Sequence, residues 1–280
     1  MATPRSEELR ALAQRVADGL PASVVEVVLT GSVSRGVADE RSDIEMLVVT
    51  AEALDLETCF AHGEAVGLQR LDTWGPQGGP AQRVFGYREG VPVELVWWPR
   101  DFAEESVAAL FDGQPSSSAD ALVNGVSLRT VGLLERWQAQ LAEYPEELAA
   151  ARIEDAALTW GGYAPEGMLT VTRPGERLVL VERMVDDANR VLQIVYALNR
   201  VWPPTTKRVA ARVEALTVKP ERLAERIEHA LTERDPVRAL LSLNELQLET
   251  VELAPRGPNV DRARIWLARA VEVLQEAREP

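Results

Sequence analysis

The stretch that decides the fold of this chain is Thr30-Gly31-Ser32-Val33-Ser34-Arg35-Gly36, followed six residues later by Asp43-Ile44-Glu45-Met46-Leu47-Val48-Val49. The apolar runs 24–30 and 44–49 predict two strands that are joined through a glycine turn. Asp43 and Glu45 lie two residues apart, so both side chains leave the same face of the second strand. Two carboxylates near the start of a strand cannot both be buried without a cation. The pattern therefore predicts a metal site on this strand.

The composition restricts the choice of metal. With a single cysteine, Cys59, and only the histidines His62 and His229, the chain cannot assemble a Cys/His zinc site or an internal disulfide. Oxygen ligands alone suit Mg²⁺, which takes its remaining ligands from water and substrate phosphates. Glu94, inside the apolar run 91–98, is a third candidate: it either faces solvent or completes the site.

The glycine turn has the composition of a phosphate-binding element. Gly31 and Ser32 lie where a backbone turn at a helix start can offer N–H groups to phosphate oxygens, and the serine hydroxyl adds one more donor. Arg35 would supply positive charge nearby. The turn and the carboxylates together indicate a site for a phosphate ligand with its magnesium ion.

Length and charge exclude several classes of protein. The chain has 280 residues, of which 46% are hydrophobic, so it has enough apolar material for a core and is not mainly disordered. Its net charge of −14 disfavours general binding to nucleic acid. The first twenty residues have helical periodicity rather than a secretory signal, and no apolar run is long enough to span a bilayer. We expect a soluble cytoplasmic protein without a membrane or stable nucleic-acid partner.

The periodicity predicts an α+β catalytic domain with a mixed sheet and flanking helices, followed by an all-α domain. The loop at 112–118, rich in Gly, Pro and Ser, suggests domains at 1–115 and 116–280. In the first domain we expect helices at 6–19 and 55–66, strands at 24–30, 44–49, 66–74, 82–87 and 91–98, and an irregular segment at 75–80. In the second domain we expect helices at 119–142, 146–161, 176–201, 206–216, 220–232, 236–253 and 260–277.

The Gly-Ser turn, the motif Ser42-Asp43-Ile44-Glu45-Met46 and the later Val93-Glu94-Leu95 resemble the nucleotidyltransferase superfamily of DNA polymerase β. Within it, the chain is similar to the kanamycin nucleotidyltransferases, in which glutamate replaces the second aspartate. The resemblance covers residues 29–98.

The resemblance implies an α+β nucleotidyltransferase domain and Mg²⁺-dependent transfer of AMP from ATP to a substrate hydroxyl, with release of pyrophosphate. Asp43, Glu45 and Glu94 would hold the metal, and Gly31, Ser32, Arg35 and Ser42 would lie at the nucleotide. Glu94 is alternatively the base for the incoming hydroxyl.

Polar residues of the helical half give further candidates. Asn199 falls inside an apolar helical stripe, so it is either a cap or a ligand contact. The sequence predicts a capped helix start with solvated charges at Thr205-Thr206-Lys207-Arg208. The resemblance implies instead that Lys207 contacts the triphosphate. It also implies a carboxylate base on a helix of the second domain, for which Asp187 is the first candidate, followed by Asp186 and Glu182. Tryptophans are expected in the core, with Trp97 as the exception if a ring must be stacked.

The acidic net charge suits a small polycationic acceptor, and the resemblance points to an aminoglycoside. It also implies a homodimer by analogy. Two other functions are considered: transfer to a protein or tRNA, as in toxin-like or regulatory relatives, and a nucleotide-binding module without turnover. A binding module has no need of three clustered carboxylates, which favours an enzyme.

Overall fold

The computed structural model describes residues 2–74, 79–112, 116–161 and 164–278. These residues form two compact units, Met1–Glu143 and Tyr144–Pro280. The architecture is α+β, as the sequence predicts, with the sheet in the N-terminal unit and helices in the C-terminal unit. The predicted irregular segment 75–80 lies partly outside the described residues, as does the loop at 112–118.

The N-terminal unit alternates helices and strands. Its described elements are α1 Pro4–Gly19, β1 Val24–Leu29, α2 Gly31–Ser34, β2 Ile44–Thr50, α3 Leu56–Ala65, β3 Gln69–Asp72, β4 Gln82–Arg88, β5 Val91–Pro99, α4 Arg100–Asp112, α5 Ser117–Val123, β6 Val126–Arg129 and α6 Leu133–Leu141. The predicted strand at 66–74 is therefore shorter than expected, and α4 was not predicted.

The described strands of this unit form one six-stranded mixed sheet in the order β3-β4-β5-β2-β1-β6. The pairing of β2 with β5 is parallel, whereas the other neighbours are antiparallel. Because β2 and β5 run in the same direction, the positions at which they begin lie side by side at the centre of the sheet.

The two faces of β5 differ in burial. Val91, Val93, Leu95 and Trp97 are buried and belong to the core cluster that includes residues of α1 and α3. Pro92, Glu94, Val96 and Trp98 are half-buried on the other face. The register carries this alternation to the neighbouring strands, so Glu45 of β2 and Phe85 of β4 share the face of Glu94. We call this the carboxylate face.

The expected helix at 119–142 is wrong. The chain forms α5, the edge strand β6 and α6 instead, and β6 pairs with β1 of the sheet. Gly125 and Gly132 interrupt the helical pattern: a Cβ on Gly125 would lie 2.7 Å from Cγ1 of Val28, and Gly132 has φ of +89°. The compact units consequently divide after residue 143, not after residue 115 as the sequence suggested.

A fully buried carboxylate on β1 organises the connection between β6 and α6. Glu26 accepts hydrogen bonds from the hydroxyls of Ser127 (2.7 Å) and Thr130 (3.0 Å) and from the backbone N–H groups of Val131 (3.0 Å) and Leu133 (3.2 Å). A buried charge requires compensation of this kind. No local pattern in the sequence marks Glu26, because its four donors lie about a hundred residues away in the chain.

In the described part of the C-terminal unit, all regular elements are helices. It contains α7 Glu146–Leu158, short 3₁₀ helices at Thr159–Gly161 and Pro165–Thr172, α8 Arg177–Leu198, α9 Val209–Glu214, α10 Leu223–Thr232, α11 Pro236–Leu253 and α12 Pro258–Arg278. The predicted helices match within a few residues, but the sequence missed the longer 3₁₀ helix. One core cluster, with contributions from α7, α8, α10, α11 and α12, fills this unit.

Among the residues that the structure describes, no helix combines the length and the apolar character that crossing a membrane requires.

Replacing Glu26 with Ala should lower the free energy of unfolding by about 3 kcal/mol, because four hydrogen-bond donors lose their acceptor, among them the buried Leu133 N–H and the half-buried Ser127 hydroxyl. Urea denaturation measures the loss. The exposed Glu64 of α3 provides the control, and Glu64→Ala should cost less than about 0.5 kcal/mol. Equal stabilities of the two variants would contradict the role assigned to Glu26.

Candidate functional site

The carboxylate face brings two of the predicted acidic residues together. Glu45 and Glu94 are direct partners in the parallel pairing of β2 with β5, and both are half-buried. Adjacent strands lie about 4.8 Å apart, so the two side chains leave neighbouring points of the same face. Asp43 lies two residues before Glu45, just outside the first residue of β2, and is half-buried as well.

The predicted metal site has the right donor atoms but is not closed. Within the described ranges, no three Asp, Glu, His or Cys side chains converge in an arrangement that could hold a metal ion. The oxygen donors of Asp43, Glu45 and Glu94 suit Mg²⁺, which accepts a few carboxylates and fills its other positions with water and phosphate oxygens. The assignment of these three residues to a metal stays a prediction.

Gly31 determines where the Glu45 carboxylate can lie. Gly31 has φ of +70°, and a Cβ at this position would overlap Oε2 of Glu45. The backbone of the turn and the carboxylate are therefore in direct contact, which only glycine permits. The turn is also joined to β2 by hydrogen bonds from the Thr30 N–H (2.9 Å) and hydroxyl (3.2 Å) to the Glu45 carbonyl.

Ser32 is half-buried in the short helix α2, next to Gly31. Ser42 has a different environment from the one that the resemblance implies. Its hydroxyl donates to Oδ1 of Asp39 (3.0 Å) and accepts from the Asp39 N–H (2.9 Å), so it stabilises the loop before β2. A contact between Ser42 and a nucleotide stays a prediction.

Arg35 follows α2 and is connected to α5. Its Nη1 lies 3.4 Å from Oδ2 of Asp120, which is buried and also accepts from Nδ2 of Asn124 (2.9 Å). Arg35, Arg10, Glu7 and Ser34 line a cavity of about 280 Å³ between α1 and the turn. Asp120 therefore partly compensates the charge of Arg35, although the sequence suggested that Asp120 belongs to the second domain.

Asn199 is the C-cap residue of α8, and its amide has no capacity for a further ligand. Nδ2 donates to the carbonyls of Val195 and Val218 (both 2.7 Å). Oδ1 accepts from the N–H groups of Thr217 (3.0 Å) and Val218 (2.9 Å). These two donated and two accepted hydrogen bonds saturate the hydrogen-bonding capacity of the side-chain amide. This arrangement favours the cap over the ligand contact.

Lys207 is exposed in a turn, and α9 begins only at Val209 rather than at 206.

Asp187, the first candidate for a helical base, is buried, with 2% of its surface exposed. Oδ1 accepts from Nε1 of Trp160 and Oδ2 from Nε of Arg183, both at 2.9 Å. Both oxygens are held inside the helical core, an environment that favours a structural role. Asp186 and Glu182 are exposed, and Asp186 pairs with Arg190 (2.8 Å).

Burial raises the pKa of the Asp187 carboxyl, and the Arg183 guanidinium together with the hydrogen bonds from Arg183 and Trp160 acts against this shift. The unfolded chain releases the proton near 3.8, while the folded unit retains it to higher pH. Folding therefore takes up a proton in this window, and the stability that Asp187 contributes is lost as the pH rises through its folded pKa.

The sequence predicted tryptophans in the core, with Trp97 as the exception if a ring must be stacked, and the structure places Trp97 in the core as well. Trp97 is 1% exposed and lies in the core opposite the carboxylate face, with its ring centroid 5.7 Å from that of His62. An odd separation of three residues from Glu94 places it on the other side of the strand. Among the described strands, the carboxylate face carries Phe85, Tyr87 and Trp98, and no sequence pattern predicted a role for Phe85 or Tyr87.

A comparison with protein families matches the segment that carries the glycine turn and β2. Residues 9–75 match the model of a family described as "Nucleotidyltransferase domain". The matched segment is about a quarter of the chain, and it contains Gly31, Ser32, Asp43 and Glu45 but not Glu94. The match supports the nucleotidyltransferase superfamily and an enzyme of this class.

Among solved structures, the chain is similar to a nucleotidyltransferase-like protein from Exiguobacterium sibiricum 255-15. The identity is 13% and the TM-score 0.30, over 97% of this chain and 75% of the other. A search of curated proteins finds no significant match.

We expect Gly31→Ala to displace the Glu45 carboxylate, because the new methyl group would occupy its position. Gly90→Ala is a matched control: Gly90 has φ of +80°, with no atom within 4 Å of the added Cβ. Both variants should lose roughly 1–2 kcal/mol through backbone strain. Crystal structures of both variants would show the difference. An unmoved Glu45 in Gly31→Ala would contradict the steric argument.

The pKa of Asp187 predicts a pH dependence that Asp187→Asn should remove. The stability of the wild type relative to this variant should fall as the pH rises above 3.8, since only the wild type must bury a charge there. Urea denaturation at a series of pH values measures the difference. If the difference in unfolding free energy between wild type and Asp187→Asn stays constant, or grows in favour of the wild type, burial is not the main influence on the pKa of Asp187.

Proposed function

We propose that this protein is a Mg²⁺-dependent nucleotidyltransferase that transfers AMP from ATP to a hydroxyl of a small acceptor. The observation that carries the proposal is the direct pairing of Glu45 with Glu94 beside the Gly31 turn. The family match over residues 9–75 supports the reaction class independently.

The chain's own residues supply positioning for this reaction. Gly31 and Ser32 would bind phosphate oxygens through the backbone turn and the serine hydroxyl, and Arg35 would add positive charge. Asp43, Glu45 and Glu94 would hold magnesium, which supplies neutralisation of the triphosphate charge when it is bound. Nucleotidyl transfer depends on such positioning more than on covalent participation of the protein.

Glu94 has a second possible role, as acceptor of the proton from the attacking hydroxyl. It lies on β5, farther from the Gly31 turn than Glu45, so it is the outer member of the pair. An ionised carboxylate within hydrogen-bond reach of the attacking hydroxyl is able to take up its proton. In this role Glu94 receives the proton while the acceptor oxygen forms its bond to the α-phosphorus and pyrophosphate leaves.

For the acceptor we propose a polycationic compound of the aminoglycoside class. The paired carboxylates of the site and the net charge of −14 both attract cations. Contact of Lys207 with the triphosphate stays a prediction.

Replacing Asp43 with Asn should lower transfer about a thousandfold or more while the fold stays intact, because a metal ligand worth several kcal/mol is lost. Glu40→Gln is the control, since Glu40 is an exposed acid in the same loop. Turnover with labelled ATP and far-UV circular dichroism measure the two properties. Unchanged turnover in Asp43→Asn would refute the metal assignment.

The acceptor class can be tested with labelled ATP, Mg²⁺ and a panel of aminoglycosides, lincosamides, tRNA and lysate protein. We expect label on the aminoglycosides. Label only on protein or RNA would overturn the small acceptor, and no label on any acceptor, although MgATP binds, would favour a nucleotide-binding module.

A further inference from the structure

Aromatic side chains continue the carboxylate face beyond Glu94. In the antiparallel pairing of β4 with β5, Phe85 is the direct partner of Glu94, and Tyr87 is the partner of Pro92. Directly opposite residues have Cβ atoms about 5 Å apart, so the Phe85 ring leaves the sheet next to the Glu94 carboxylate. The order across the face is therefore the Gly31 turn, Glu45, Glu94 and then Phe85.

The two rings form a preorganised surface. The centroids of Phe85 and Tyr87 are 5.4 Å apart and their planes meet at 83°, which is an edge-to-face pair. Both residues are half-buried, whereas Val84 and Gly86 between them are buried on the core side. Large aromatic side chains that keep part of their surface in solvent beside acidic groups can receive a ligand without a rearrangement.

The in-line geometry of nucleotidyl transfer suggests which end of the carboxylate face receives the leaving phosphates and which receives the acceptor. In nucleotidyl transfer the attacking oxygen approaches the phosphorus from the side opposite the leaving pyrophosphate. If the Gly31 turn binds the leaving phosphates, as the proposed function has it, the acceptor must arrive from the β4 side of Glu94. That side carries Phe85 and Tyr87.

We propose that Phe85 and Tyr87 form the acceptor subsite and bind a protonated amine or amine-bearing ring of the acceptor by cation–π contact. The inference rests on the proposed function and deepens it by assigning residues to the acceptor. Aromatic faces next to carboxylates attract a cation through two separate interactions, and they also pack against the apolar face of a sugar ring. Arg83, farther along β4, lies over the Trp74 ring at 4.3 Å from its centroid, so its charge is directed to a different aromatic residue.

The test is the equilibrium binding of kanamycin, measured by calorimetry without nucleotide, beside the binding of MgATP. Phe85→Leu keeps an apolar side chain but removes the ring, and it should weaken kanamycin binding about tenfold while MgATP affinity changes less than about twofold. Phe85→Tyr restores a ring and should retain kanamycin affinity within about threefold. In turnover, Phe85→Leu should raise KM for the acceptor and leave KM for ATP unchanged.

A matched control lies on the same face. Trp98 and Phe102 form another edge-to-face pair, with centroids 5.5 Å apart, and Trp98 is four residues beyond Glu94. Phe102→Leu should alter neither affinity, and thermal unfolding of all three variants checks that they are folded.

Three results would overturn the subsite. The first is unchanged kanamycin affinity in Phe85→Leu, and the second is no binding of kanamycin to the wild type. The third is weaker MgATP binding in Phe85→Leu, which would assign the rings to the nucleotide base. None of these results touches the transferase proposal, which fails separately if MgATP does not bind or no acceptor is labelled.

Discussion

The parallel pairing of β2 with β5 holds Glu45 and Glu94 side by side, and the site is built around this pair. Two carboxylates at neighbouring positions repel one another, and the cost grows as water is excluded. The backbone hydrogen bonds of the sheet and the buried opposite face, with Ile44, Met46, Val93 and Leu95, keep the two strands in register against this repulsion. A bound cation would relieve the repulsion, which is why the arrangement suits metal and phosphate chemistry.

Other parts of the N-terminal unit contact the two paired strands on both sides. On one side, the Gly31 turn is in contact with the Glu45 carboxylate, and β1 connects it to the buried Glu26 and thus to β6 and α6. On the other side, β4 places Phe85 against Glu94. Glu26 is fully buried among internal donors, and Glu45 and Glu94 are half-buried on the carboxylate face.

The helical unit shows how a chemically suggestive residue can be structural. Asp187 has a raised pKa, a property common in catalytic acids and bases, but its two oxygens are held by Trp160 and Arg183 inside the core. Asn199 similarly fills its hydrogen-bonding capacity by joining the end of α8 to the segment at 217–218. Both residues lie where helical periodicity places the apolar stripe, so burial with internal partners accounts for them.

Local patterns in the sequence determined the glycine turn, the strands β1, β2, β4 and β5, most helices and the candidate carboxylates Asp43, Glu45 and Glu94, because periodicity and turn residues act over short distances. Tertiary structure alone decided which of these meet. The parallel register sets Glu45 against Glu94, the edge strand β6 draws residues 117–141 into the N-terminal unit, and the pairing of β4 places Phe85 rather than Trp97 beside the carboxylates. These outcomes depend on how distant segments pair as strands. A shift of the pairing register by one residue would move every side chain of a strand to the opposite face of the sheet.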